Sequence, residues 1–297
     1  MTIKKCTSIA SNAVGTILAT FVTSGALAIP AMAAEAVGKP DLTIGYVAWA
    51  DQLPSTYAMK VVLEQQGYNV KATSLSAAFM WQGIAQGKLD MIASWLPVTH
   101  GAYYTPVKNR VVNVGANFKG TRQGLAVPKY MTDINSIEDL KQHADEFDGR
   151  IVGIDPGAGL MRLTKDAMEK YGLDMKLAAS SDATMTAVVG SALNEHKPIV
   201  ATAWTPHWMF SRWELKFLDD PKNAFGAGDD IDTIVRKGLK DDSPKAYCIL
   251  SHFEWSADEM GALLSMNEQS GSDPYQNAKQ WVDQHPDVVK RWTQPCQ

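Results

Sequence analysis

Cysteine is scarce in this sequence. Three in 297 residues exclude a disulfide-built scaffold and a four-thiolate zinc centre. Histidine is scarce too: the six are scattered singly, and no pair stands at metal-ligand spacing. The hydrolase motifs G-x-S-x-G and H-E-x-x-H are absent, as are a Walker loop and a GxGxxG fingerprint. Basic charge is not in excess: the formal net charge is −4, which argues against nucleic acid as a partner. The acidic pairs Asp229-Asp230 and Asp241-Asp242 sit in turn-like segments and read as solvated loops, not acid–base couples. The expectation is therefore a protein that is not an enzyme, with no cofactor and no metal.

What is present is an ordinary globular composition, 45% hydrophobic and 20% charged. The length exceeds a typical single core and suggests two lobes. Only one long apolar stretch occurs, from about Ala13 to Ala34. Lys4 and Lys5 precede it and Ala31-Met32-Ala33 closes it, so residues 1–33 read as a secretory signal peptide cut after about Ala33. Cys6 lies before the apolar region and cannot be a lipidated cysteine following it. The expected location is the periplasm. After cleavage Cys248 and Cys296 remain, in a compartment that permits a disulfide. Spacing alone does not decide between a bond and two separate thiols; the disulfide is the expectation.

The mature chain repeats itself. Residues 41–97 and 150–206 each open with an apolar strand pattern, Leu42 to Trp49 and Arg150 to Asp155. An amphipathic helical pattern follows in each, Ser55 to Gln66 before Gly67, and Leu160 to Tyr171 before Gly172. Second helices are expected near 78–86 and 184–195. Each half then ends in an apolar strand running into Trp-x-Pro: Trp95-Leu-Pro97 and Trp204-Thr-Pro206. Alternating strands and helices predict α/β units with parallel sheets. Gln123 to Pro128 reads as a strand crossing to the second lobe, and Asp232 to Lys237 as the returning strand. Helical patterns at 243–253, 256–267 and 274–284 would pack on the first lobe.

Ligands of open α/β sheets bind beyond the carboxyl ends of the strands. Trp49, Trp95 and Trp204 fall at such ends. Any one of them could simply cover a core edge; three at matching places point to a shared cleft. Indole faces attract a cation, and a quaternary ammonium, having no N–H, suits such a box. No carboxylate is needed in such a box, and one would also attract competing inorganic cations. Trp81, Trp255, Trp281 and Trp292 lie within helical patterns and read as packing, whereas Trp208 and Trp213 read as support or core.

A second pole is suggested by Gly153-Ile-Asp-Pro-Gly-Ala-Gly159-Leu160, a glycine-rich turn entering a helix. It is either an anion site on the first helical N–H groups or a tight turn and no more. His100, five residues after Trp95, could donate to the same anion. His207, after Pro206, could support the box by hydrogen bonding.

These residues resemble a known family. Trp95-Leu-Pro-Val-Thr-His100 and Ala203-Trp-Thr-Pro-His-Trp208 look like the glycine betaine-binding proteins of ABC importers, the OpuAC-type substrate-binding family. Tyr46-Val-Ala-Trp49, the Gly153–Gly159 segment and Val235-Arg-Lys-Gly238 add to the resemblance, which covers about residues 40–292. It implies a two-lobed, type II periplasmic-binding-protein (Venus-flytrap) fold with the ligand cleft between lobes. By the resemblance, Trp49, Trp95 and Trp204 box the trimethylammonium, and the Gly159 and Leu160 N–H groups with His100 hold the carboxylate. Choline binders are near neighbours. They share Asp51, which in them meets the choline hydroxyl, but carry a tyrosine where this chain has Gln123-Gly124 and lack the equivalent of His100.

The expected organisation is a first lobe of residues 40–122 plus 232–297 and a second of 123–231. The expected function is capture of glycine betaine by a monomer and its delivery to an ABC permease with a cytoplasmic ATPase. Choline, carnitine or proline betaine remain alternatives within the class, and a ligand sensor for a membrane receptor is the alternative of another class.

Overall fold

In a computed structural model of the chain, residues 38–269 and 271–297 are described. The expected signal peptide lies outside them. Among the described residues, no helix is long and apolar enough to cross a membrane.

The first half builds β1 (Asp41–Tyr46), α1 (Gln52–Gln65), β2 (Asn69–Ser74), α2 (Ala77–Ala85), β3 (Met91–Leu96), the short α3 (Gly101–Tyr104) and β4 (Val111–Phe118). Then come β5 (Arg122–Pro128), β6 (Arg150–Val152), α4 (Gly159–Tyr171), β7 (Lys176–Ala178), α5 (Asp182–Asn194), β8 (Ala201–Thr205), α6 (Met209–Arg212) and β9 (Leu215–Phe217). The chain ends with β10 (Asp230–Arg236), α7 (Leu239–Asp242), α8 (Pro244–Ser251), α9 (Ala257–Asn267), α10 (Pro274–Gln284) and α11 (Pro286–Thr293).

Two five-stranded sheets result, in the orders β2-β1-β3-β10-β4 and β7-β6-β8-β5-β9. β3 is buried along its whole length, as its mainly apolar sequence suits a central strand flanked on both faces. α4 stops at Gly172, whose φ of 64° is the left-handed conformation that glycine adopts without a Cβ penalty. The repeat is visible in the backbone: both Trp-x-Pro motifs hold a cis peptide, at Leu96-Pro97 and Thr205-Pro206.

The sheets are mixed, which corrects the expectation of parallel ones. β1, β2 and β3 run parallel, but β10 is antiparallel to β3 and to β4. Likewise β6, β7 and β8 run parallel while β5 is antiparallel to β8 and β9. The reason is connectivity. β5 and β10 pass from one sheet to the other, so each enters its new sheet from the cleft side and runs against the strands already there.

The terminal helices α9 and α10 pack on α1. Trp255 sits in the loop between α8 and α9 rather than on a helix, and its indole donates to Ser55 Oγ on α1 at 2.9 Å. It packs with Phe253, Trp281 and Trp292 in one aromatic cluster. Beside it, Cys248 and Cys296 lie in disulfide geometry, with Cα atoms 5.6 Å apart.

Of the acidic pairs expected in solvated loops, Asp241 and Asp242 are exposed, whereas Asp229 is not. Asp229 is buried, with its carboxylate on backbone N–H groups of Val98 and Thr99. Asp242 receives Arg236 Nη1 at 2.7 Å, while Asp90 takes Arg236 Nε, also at 2.7 Å. The partners of Asp229 come from a segment more than 100 residues away, which turn-like local composition cannot reveal.

Candidate ligand site in the cleft

Trp49 lies in the turn that leaves β1 for α1, Trp95 near the end of β3, and Trp204 near the end of β8. All three are at least nine-tenths buried and line one cavity. Asp51, Thr99, His100, Gln123, Ile154, Ala158, Gly159 and Leu160 complete its wall. Strand ends from both sheets thus meet at one place.

Each indole N–H is tied to a carboxylate. Trp95 Nε1 donates to Asp51 Oδ2 at 2.9 Å and Trp204 Nε1 to Asp51 Oδ1 at 2.8 Å. Trp49 Nε1 donates to Asp155 Oδ2 at 2.8 Å, in the glycine-rich turn before α4. With its N–H edge held, each ring offers a ligand its face and C–H rim. A carboxylate that the cation does not need therefore stands at the box and accepts from two of its indoles. Asp51 is 2% exposed at the head of α1, and both its oxygens take indoles. Burial pushes its pKa up to about 6, against the pull of the two indole donors, and the nearby Asp182 charge pushes the same way as burial.

A further layer stands behind Trp204. Asp182 Oδ2 accepts the Ala50 N–H at 2.8 Å, and Asp182 Oδ1 pairs with His207 Nε2 at 3.1 Å. His207 Nδ1 accepts from the Met209 N–H, so its proton sits on Nε2, facing Asp182. The His207 ring stands edge-on to Trp204 at 4.6 Å between centroids. His207 does not line the cavity. Trp208 packs between His207 and Trp213, away from the cavity wall. Trp81 is buried on α2.

His100 does line the cavity and is fully buried. Its Nδ1 contacts Ser94 Oγ at 2.7 Å, and its Nε2 has no hydrogen-bond partner among the described residues. Burial lowers its pKa to about 4, so the ring is neutral at pH 7. When Ser94 donates to Nδ1, the ring proton belongs to Nε2, a neutral donor at the cavity wall.

α4 starts at Gly159, so the Gly159 and Leu160 N–H groups precede the first intrahelical acceptors and stay free for a ligand. Gly159 is sterically required. A Cβ there would stand 2.1 Å from the Thr99 carbonyl oxygen, which reaches it from the other sheet's loop. Asp155, Asp182, Gln123 and Ser94 are site residues that sequence reasoning missed. They are polar side chains in a turn, in strands and at the start of α5, and only the spatial meeting of two halves shows their use.

The family described as the substrate-binding domain of the ABC-type glycine betaine transport system matches residues 40–284. The chain belongs to that family. It is 46% identical over 166 residues to the glycine betaine/carnitine transport binding protein GbuC of Listeria monocytogenes. That match covers 54% of this chain and 55% of GbuC, so the chain spans about half the length of that curated relative. Among solved structures it resembles lactococcal OpuAC, closed and complexed with glycine betaine, at 38% identity and a TM-score of 0.80, covering 85% of this chain and 99% of that one. It also resembles an ABC-transporter choline-binding protein in complex with choline, at 27% identity and a TM-score of 0.81, covering 86% and 92%. These likenesses give the two-lobed periplasmic-binding-protein fold.

Proposed function

We propose that this chain is an exported, non-catalytic binding protein that captures glycine betaine in the cleft and delivers it to an ABC permease driven by a cytoplasmic ATPase. Trp49, Trp95 and Trp204 surround the trimethylammonium group. His100 Nε2–H and the backbone N–H groups of Gly159 and Leu160 hold the carboxylate. The observation that carries this reading is the pairing of two poles in one cavity, three indoles whose N–H edges are engaged elsewhere and a buried neutral imidazole with a free nitrogen. Each ring contributes about 0.5–2 kcal/mol of cation–π attraction.

The same reading takes residues 40–122 plus 232–297 as one lobe and 123–231 as the other. It also takes residues 1–33 as the export signal, Cys248–Cys296 as a structural disulfide, and the monomer as the working form. Asp51 and His207 act behind the box, not on the ligand. Choline has no carboxylate for the His100 pole and would have to share the Asp51 oxygens with the two indole N–H groups they already accept.

The test is a calorimetric titration of the ligand-free mature protein with glycine betaine and, on a fresh sample, choline. Tighter binding of glycine betaine supports the reading. Preference for choline would return Asp51 to the ligand and remove His100 from the carboxylate.

A further inference from the structure

Asp229 lies outside the cavity wall, yet its hydrogen bonds converge on the loop that carries His100. It is buried in the segment leading into β10, the returning strand. Its carboxylate accepts the N–H of Val98, the N–H of Thr99 at 3.0 Å, and Gln123 Nε2 at 3.3 Å from β5, the outgoing strand. The Thr99 hydroxyl is shared between Asp229 and Gln123 Oε1. The Asp229 carbonyl meanwhile accepts the Thr121 hydroxyl at 2.6 Å. One residue thus ties both inter-lobe connections to the loop of Pro97 to His100.

That loop is also where the second lobe lands. The Thr99 carbonyl occupies the space a Gly159 Cβ would need, and Arg162 of α4 reaches the Val98 carbonyl at 3.3 Å. We infer that Asp229 is a positioning residue through which the hinge sets the carboxylate pole, fixing the loop so that His100 and the α4 N–H groups face one anion when the lobes close. The inference rests on the proposed betaine site and adds to it the residue that couples closure to carboxylate recognition. Asp229 itself touches no ligand. Without its carboxylate, the buried Thr99 N–H and the half-buried Val98 N–H lose their acceptor and the loop is free to shift.

The experiment compares wild type with Asp229→Asn and Thr99→Val, titrating each with glycine betaine and with tetramethylammonium, which shares the cation but lacks a carboxylate. Asp229→Asn should weaken glycine betaine by about tenfold or more, while tetramethylammonium stays near its wild-type affinity. Thr99→Val, which keeps both backbone contacts, should show the same asymmetry with a smaller loss. A merely structural role would weaken both ligands alike, and that result, or no change, overturns the inference. Amide hydrogen exchange on the ligand-free proteins gives a second readout. Asp229→Asn should speed exchange at residues 98–100 and 121–123 and leave α10 and α11 as they were; unchanged exchange in the loop overturns the inference. Should wild type bind neither ligand, the betaine reading fails while the exchange result still decides the role of Asp229. If Asp229→Asn does not fold, Thr99→Val carries both comparisons.

Discussion

The carboxylate of Asp51, at the head of α1 in one lobe, accepts the indole N–H of Trp204 from β8 of the other lobe at 2.8 Å. Trp49 answers in the opposite direction, donating to Asp155 of the second lobe. Each lobe therefore lends a tryptophan to a carboxylate of its opposite. The bonds that orient the rings are also bonds that hold the cleft shut, so ring geometry and closure are one feature.

Asp51→Asn should weaken glycine betaine binding roughly 10- to 100-fold, the equivalent of one charge-assisted hydrogen bond. An amide offers one acceptor where two indoles need two. Calorimetry on the folded variant checks this; affinity equal to wild type would show that the indoles hold their places without the carboxylate.

Tryptophan replacements should separate into two groups. Trp49→Ala, Trp95→Ala and Trp204→Ala should each abolish most of the affinity. Trp281→Ala, in the aromatic cluster under the terminal helices, should instead lower stability by about 3–5 kcal/mol and leave affinity nearly unchanged. Paired denaturation and titration experiments distinguish the groups. Unchanged affinity in two of the three box variants would contradict the assignment.

Gly159→Ala should impair closure without unfolding either lobe, because the added methyl collides with the Thr99 carbonyl only when the lobes meet. Small-angle scattering with saturating glycine betaine should show wild type more compact than the variant. Equal compaction in both would mean the loop yields to the methyl group.

The stability profile should carry a signature of His100. Burial lowers its pKa from 6.5 to about 4, so as the pH falls the unfolded chain takes up the proton first. Its contribution is present above pH 6.5 and is lost as the pH falls toward 4. Between pH 7 and 5 the loss is about 2 kcal/mol. Asp51, with its pKa raised to about 6, acts in the opposite sense, stabilising most below its ordinary 3.8 and losing that as the pH rises to 6. Comparison with His100→Gln therefore isolates the histidine: wild type should lose more stability than the variant between pH 7 and 5. Equal losses would contradict the buried neutral ring.

Six strands are legible in the sequence, β1, β3, β5, β6, β8 and β10, and all are interior strands of their sheets. The four that are not, β2, β4, β7 and β9, are the four edges. An interior strand is buried on both faces and reads as an apolar run, whereas an edge such as Asn69–Ser74 alternates with polar residues and has no pattern apart from its partner. The site divides the same way. Tryptophans at repeated Trp-x-Pro motifs announce themselves. Asp155, Asp182 and Asp229 do not, because each meets its partner from more than 100 residues away.

The most direct test is a crystal structure of the mature protein with glycine betaine. The trimethylammonium group should be enclosed by Trp49, Trp95 and Trp204, with the carboxylate on His100 Nε2 and the Gly159 and Leu160 N–H groups. A ligand bound outside the three rings, or with its carboxylate turned away from His100, would contradict this arrangement.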